Sequence, residues 1–127
     1  MPSAEAVCDE LIETARAQGA TLVESSALTA RTYVLNRKGH VLDSEADARL
    51  ALELAAHEPG DFLRPYKLSQ LAEALIERGE QAAAVGLLTP AELAPVEPGQ
   101  TMFRLILRDT YARLLWLEGR PQEALPE

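Results

Sequence analysis

The chain is poor in the residues from which catalytic and metal centres are usually built. Its 127 residues include one cysteine, Cys8, and two histidines, His40 and His57. A single thiol forms no internal disulfide, and with two imidazoles it falls short of the four ligands of a structural zinc site. Cations are also scarce. Twelve lysines and arginines stand against 20 aspartates and glutamates, a formal net charge of −8, which opposes a phosphate backbone and argues against direct DNA or RNA binding. The longest apolar runs, at 82–88 and 114–117, are far below the roughly eighteen residues that cross a bilayer, so no membrane span is expected. No glycine-rich phosphate loop, dinucleotide fingerprint or calcium loop is found. The first ten residues carry Glu5, Asp9 and Glu10 where a secretory leader needs a basic start and an apolar stretch, so the expected location is the cytoplasm. Hydrophobic residues at 47% and charged residues at 25% place the chain with folding globular proteins, not disordered ones. Its length fits one domain, 1–127.

What the sequence does have is glycine at a regular interval. Six of its seven glycines, Gly19, Gly39, Gly60, Gly79, Gly99 and Gly119, recur about every twenty positions. Helices commonly end with a glycine just past the last turn, so the interval predicts successive helices of about fifteen residues joined by short connections. The first begins after Ser3 as N-cap and carries Ala4, Cys8, Leu11 and Ala15 at helical spacing. Asp43 or Ser44 caps another, with Ala46, Leu50, Leu54, Ala51 and Ala55 lining one side and Ala48 and Leu52 widening it, up to Pro59-Gly60. Pro65 opens a helix to about Arg78 with Leu68, Leu71, Ala72 and Leu75 buried. A short alanine-rich helix follows over 80–88, Thr89-Pro90-Ala91-Glu92 restarts one, and the longest runs over about 100–118 with Phe103, Ile106, Leu107, Leu114, Leu115 and Trp116 as core.

The segment 21–42 supports two readings. Ser25, Ser26, Thr29 and Thr32 are poor helix formers, and Asn36-Arg37-Lys38-Gly39 suits a turn between short strands, giving an α+β alternative with a small β-hairpin at about 32–42 packed on helices. Against it, Val23, Ala27, Ala30 and Val34 keep helical spacing, and Gly39 stands where a helix stop is due.

A forty-residue shift aligns Leu71, Ala72, Leu75, Gly79 and Ala84 with Tyr111, Ala112, Leu115, Gly119 and Ala124. A helix, a glycine and a second helix whose small alanine allows close approach form a unit that stacks into a continuous core. In this order the residues resemble the tetratricopeptide repeat, over about half of the chain. The resemblance implies an all-α fold of stacked antiparallel helix pairs, an α-solenoid, and a non-enzymatic protein–protein interaction module. It puts the partner-binding positions at Tyr66, Ser69, Glu73, Glu77, Asp109 and Arg113, a mostly acidic face for a protein or peptide partner of basic character. The forty-residue spacing departs from the thirty-four of that family, and the second helix is interrupted at Thr89-Pro90.

Other chemistry is thin. Cys8 with His40 or His57 invites a nucleophile and base, yet no glycine elbow or flanking carboxylate pattern accompanies them. Asp9, Glu10 and Glu13 lack a histidine at the offset of a helical metal site. No catalytic residue, metal or cofactor is therefore assigned. The alternative function, a small enzyme or ligand-binding α+β domain with a pocket near His40 and His57, requires the hairpin. Self-association is a further expectation, because a short stack exposes an apolar end unless a cap or second copy covers it.

Overall fold

Ser3 holds an extended backbone (φ −69°, ψ 161°), and its hydroxyl oxygen accepts a 3.1 Å hydrogen bond from the Ala6 amide, so the chain enters α1, Ala4–Ala17, with an orphan donor satisfied. In the computed structural model, which describes residues 1–58, 61, 63–89, 92 and 102–117, five more helices follow. They are α2 (Thr21–Lys38), α3 (Val41–Ala55), α4 (Arg64–Glu77), α5 (Gln81–Gly86) and α6 (Met102–Leu117). The fold is all-α, with no strand among the described residues.

One device makes three of the chain reversals. Gly19, Gly39 and Gly79 take φ of 66°, 78° and 82°, and each is followed by one residue before the next helix. The amide after each glycine reaches back to a carbonyl five residues earlier: Ala20 to Ala15, His40 to Leu35 and Glu80 to Leu75, at 2.9, 2.9 and 2.8 Å. The glycine amides bond to Arg16, Asn36 and Ile76, completing the pair of bonds that seals a helix on a left-handed residue. A reversal this tight sets consecutive helices side by side and antiparallel.

The helices group into two compact units, Met1–Asp61 and Phe62–Glu127. In the first, α2 packs on both α1 and α3, whereas α1 and α3 bring no Cα pair within 8 Å of each other. A core of Ile12, Ala27, Leu28 and Ala51, with Leu50 and Leu54 packed against it, lies over the face of α2 that both neighbours share. In the second unit α4, α5 and α6 all touch one another. Leu68, Leu71, Ala72, Ala74 and Leu75 of α4 are buried, as are Ala84 of α5 and Leu107 and Leu114 of α6.

Several expectations are corrected. The hairpin at 32–42 does not form: α2 runs unbroken to Lys38, Gly39 ends it and α3 starts at Val41. Ser25, Thr29 and Thr32 are accommodated because they face inward at close helix contacts, while Ser26 is exposed. Thr29 and Thr32 return their hydroxyls to the carbonyls of Ser25 and Leu28, at 2.9 and 2.8 Å, and Ser25 donates across to Ala51 O at 2.6 Å. The buried face of α2 is accordingly Glu24, Ser25, Ala27, Leu28, Thr29, Thr32 and Leu35, while Val23 and Ala30 are exposed. On α1 the buried stripe is Cys8, Ile12 and Ala15; Leu11 points out at 46% exposure.

The cap of α3 is His40, not Asp43 or Ser44; Ser44 is buried, its Oγ 2.6 Å from Asn36 Oδ1. Ala46 is exposed while Ala48, Ala51 and Ala55 are buried. The helix expected over about 100–118 is present as α6 over Met102–Leu117, and its expected ends at 100–101 and 118 lie outside the described residues. Glu92 donates its amide to Thr89 Oγ1 at 3.4 Å. The glycines at 60, 99 and 119, the restart at 90–91, and the side chains of Phe103, Leu115 and Trp116 lie outside the described residues.

Candidate functional site

The face named by the repeat resemblance starts on α4. Pro65 sits in its first turn, where the missing amide hydrogen costs nothing, and the helix that follows is buried around most of its circumference. At 100° per residue, Tyr66, Gln70, Glu73 and Glu77 fall on one stripe. Tyr66 and Glu73 are half-buried and Glu77 is exposed. Four residues apart, the two carboxylates stand one turn from each other, and no described cation forms an ion pair with either.

Ser69 is placed elsewhere. It is buried, with its Oγ 3.4 Å from Thr110 Oγ1 of α6, so it belongs to the α4–α6 contact and is closed to a ligand. That contact sets the next turn of α6 beside α4. Thr110 donates to Ile106 O at 3.0 Å, and Asp109 and Arg113 project from the opposite side of α6 to Leu107 and Leu114. Asp109 and Arg113 are both exposed and pair with each other at 3.5 Å, and the Arg113 guanidinium also donates to Thr110 Oγ1 at 3.4 Å. Of the six positions, then, Tyr66 and Glu73 are half-buried on a stripe with the buried Gln70 between them, Glu77 is exposed at its end, Asp109 and Arg113 pair with each other, and Ser69 is interior.

The imidazoles stand apart from any enclosed site. His40 is the exposed N-cap of α3 and His57 is exposed just beyond its C-terminus, so they sit at opposite ends of a 15-residue helix. Cys8 is buried on α1, and burial pushes its thiol above the usual range, against the partly compensating Arg31 charge. Among the described residues no three His, Cys, Asp or Glu side chains converge as a metal site. The hollow beside Glu13, Thr14, Arg16 and Ala17 is open to solvent.

Two polar arrangements went unread in the sequence. Arg31 of α2 is half-buried and reaches both neighbouring helices. Its Nε and Nη2 donate to Asp47 Oδ2 and Oδ1 at 2.6 and 2.9 Å, and its Nη1 donates to Asp9 Oδ1 at 2.9 Å. The hydrogen bonds to Asp47 raise the arginine pKa well above its ordinary value, outweighing the opposing effect of burial. Lys67, in the first turn of α4, is buried as deeply as the leucines beside it. A signal for Arg31 was present: Asp9, Arg31 and Asp47 are what antiparallel helices turning at Gly19 and Gly39 bring level. Lys67 left no comparable sign. No protein-family model, curated protein or solved structure matches the chain, so the reading of its function rests on its own residues.

Proposed function

We propose that the chain is a non-enzymatic helical module, of the tetratricopeptide-repeat kind, that binds a basic or extended segment of another protein through the α4 stripe. The observation that supports it best is the state of Glu73 and Glu77. Arg16, Arg31, Lys38, Arg49, Arg64 and Arg113 are each matched to a carboxylate of the chain itself, but these two glutamates hold adjacent turns with no described cation against them. A lysine or arginine from outside can satisfy both, with Tyr66 giving an aromatic edge at the same stripe. Asp109 and Arg113 are exposed on α6, and their mutual pairing leaves them little to add.

The test is charge reversal. Glu73→Lys with Glu77→Lys is expected to keep the helical circular dichroism of the parent and to reduce recovery of its co-purifying protein from the native host at least tenfold. Equal recovery by the folded variant removes this surface from consideration. The reading that used a pocket near His40 and His57 loses the hairpin it required, and both imidazoles are open to solvent.

A further inference from the structure

We propose that α1 is a strap latched to α2 by charge, which undocks as a unit about Gly19 while α2 and α3 stay together, and that ionic strength sets how often it opens. The two seams of this unit are made differently. Between α2 and α3 the chain uses small residues and hydroxyls, Ser25 against Ala51 and Ser44 against Asn36, together with one ion pair, the two-pronged Arg31–Asp47. Between α1 and α2 it uses three ion pairs spread over the whole helix, Glu5–Lys38 at 2.8 Å, Asp9–Arg31 at 2.9 Å and Arg16–Glu24 at 2.8 Å. The apolar part of that seam on α1 is short, only Cys8, Ile12 and Ala15.

Three features make opening local. First, α1 brings no Cα within 8 Å of α3, and α2 is its only helix partner among the described residues, so its release breaks one interface. Second, undocking strands no charge: Arg31 keeps both bonds to Asp47 after Asp9 leaves, and Glu24 and Lys38 pass into water. Third, the connection is Gln18-Gly19-Ala20, with the glycine already at φ 66° and no atom within 4 Å of where a Cβ would stand. Elements with few buried apolar contacts open well below the global unfolding free energy.

Each pair of this exposure shifts an equilibrium by about twofold, so screening all three raises the open population about tenfold. Cys8 is the built-in reporter, being the chain's single thiol and buried on the strap. The experiment labels the full chain with a chromogenic thiol reagent at fixed pH, in about 0.01 M and about 1 M sodium chloride, with glutathione as the reagent control. Amide exchange is followed under the same two conditions. The expected result is Cys8 labelling about ten times faster at high salt, α1 amides exchanging faster in the same proportion, and α2 amides unchanged.

Glu5→Gln with Asp9→Asn should label about fourfold faster than the parent at low salt and respond to salt only about twofold. Salt-independent labelling overturns the proposal. So does loss of protection in α1 and α2 together, because that is unfolding of the unit and not release of a strap.

Discussion

Replacing Arg31 by methionine keeps a long apolar stem and deletes the fork that joins three helices. Asp47, whose side chain is 11% exposed, then remains as a largely desolvated carboxylate without its cation. Removing one partner of a fully buried pair costs about 3–5 kcal/mol, and of a surface pair about 0–1. The Arg31 side chain is 26% exposed, so water reaches it from one side, and the expected loss is about 2–3 kcal/mol. Asp9, at 53%, contributes little of this; Asp9→Asn should cost about 0.5 kcal/mol.

Exchange of the slowest α2 amides reads the stability of this unit, with urea unfolding as a second measure. Because the folded-state pKa of Arg31 is raised, its contribution is fully present below the ordinary arginine pKa and is lost only as pH climbs past it. The penalty of Arg31→Met should therefore be the same at pH 6 and pH 9. Adding Asp47→Leu removes the stranded charge and should restore most of the loss. A penalty under about 0.5 kcal/mol, or a double variant worse than the single one, refutes the reasoning.

Further outcomes follow from the same structure. Gly79→Ala forces a side chain into a backbone at φ 82° and should cost about 1–2 kcal/mol in urea unfolding, whereas Gly86→Ala, inside α5 with open space around it, should be neutral or stabilise by up to about 0.5 kcal/mol. The raised thiol pKa of Cys8 means that the folded chain holds its proton longer than the unfolded one, so stability should fall as pH rises past the ordinary value of 9.0; Cys8→Ala should flatten that slope, and an unchanged slope assigns it to other groups. Charge reversal at Glu73 and Glu77, and salt-dependent labelling of Cys8, test the partner face and the strap.

The helical course of the chain was legible because it rests on local chemistry. Ser3 caps, Gly19, Gly39 and Gly79 flip handedness, and Pro65 opens a helix, each within a few residues of where the sequence puts it. The stripe Leu68, Leu71, Ala72 and Leu75 was equally clear, since leucine buried at helical spacing has one meaning. The face of α2 was not. Hydropathy assigns Val23 and Ala30 inward and Ser25 and Thr32 outward, but a helix lying against alanines gains more from small hydroxyl residues that return a hydrogen bond to a carbonyl. Ser69 was misplaced for a related reason: spacing finds the stripe, but only the neighbouring helix decides whether a serine beside it meets water or Thr110.

The seam of Ser25, Ala48 and Ala51 has a consequence for how this chain can vary. With Ser25 and Ala51 both at 0% exposure and a 2.6 Å bond between them, two backbones approach at a distance that one added methylene would change. Natural variants of this protein should therefore keep alanine, serine or glycine at these three places while leucines elsewhere drift to methionine or isoleucine. A sequence related by descent is better recognised by that run of small residues than by its larger ones.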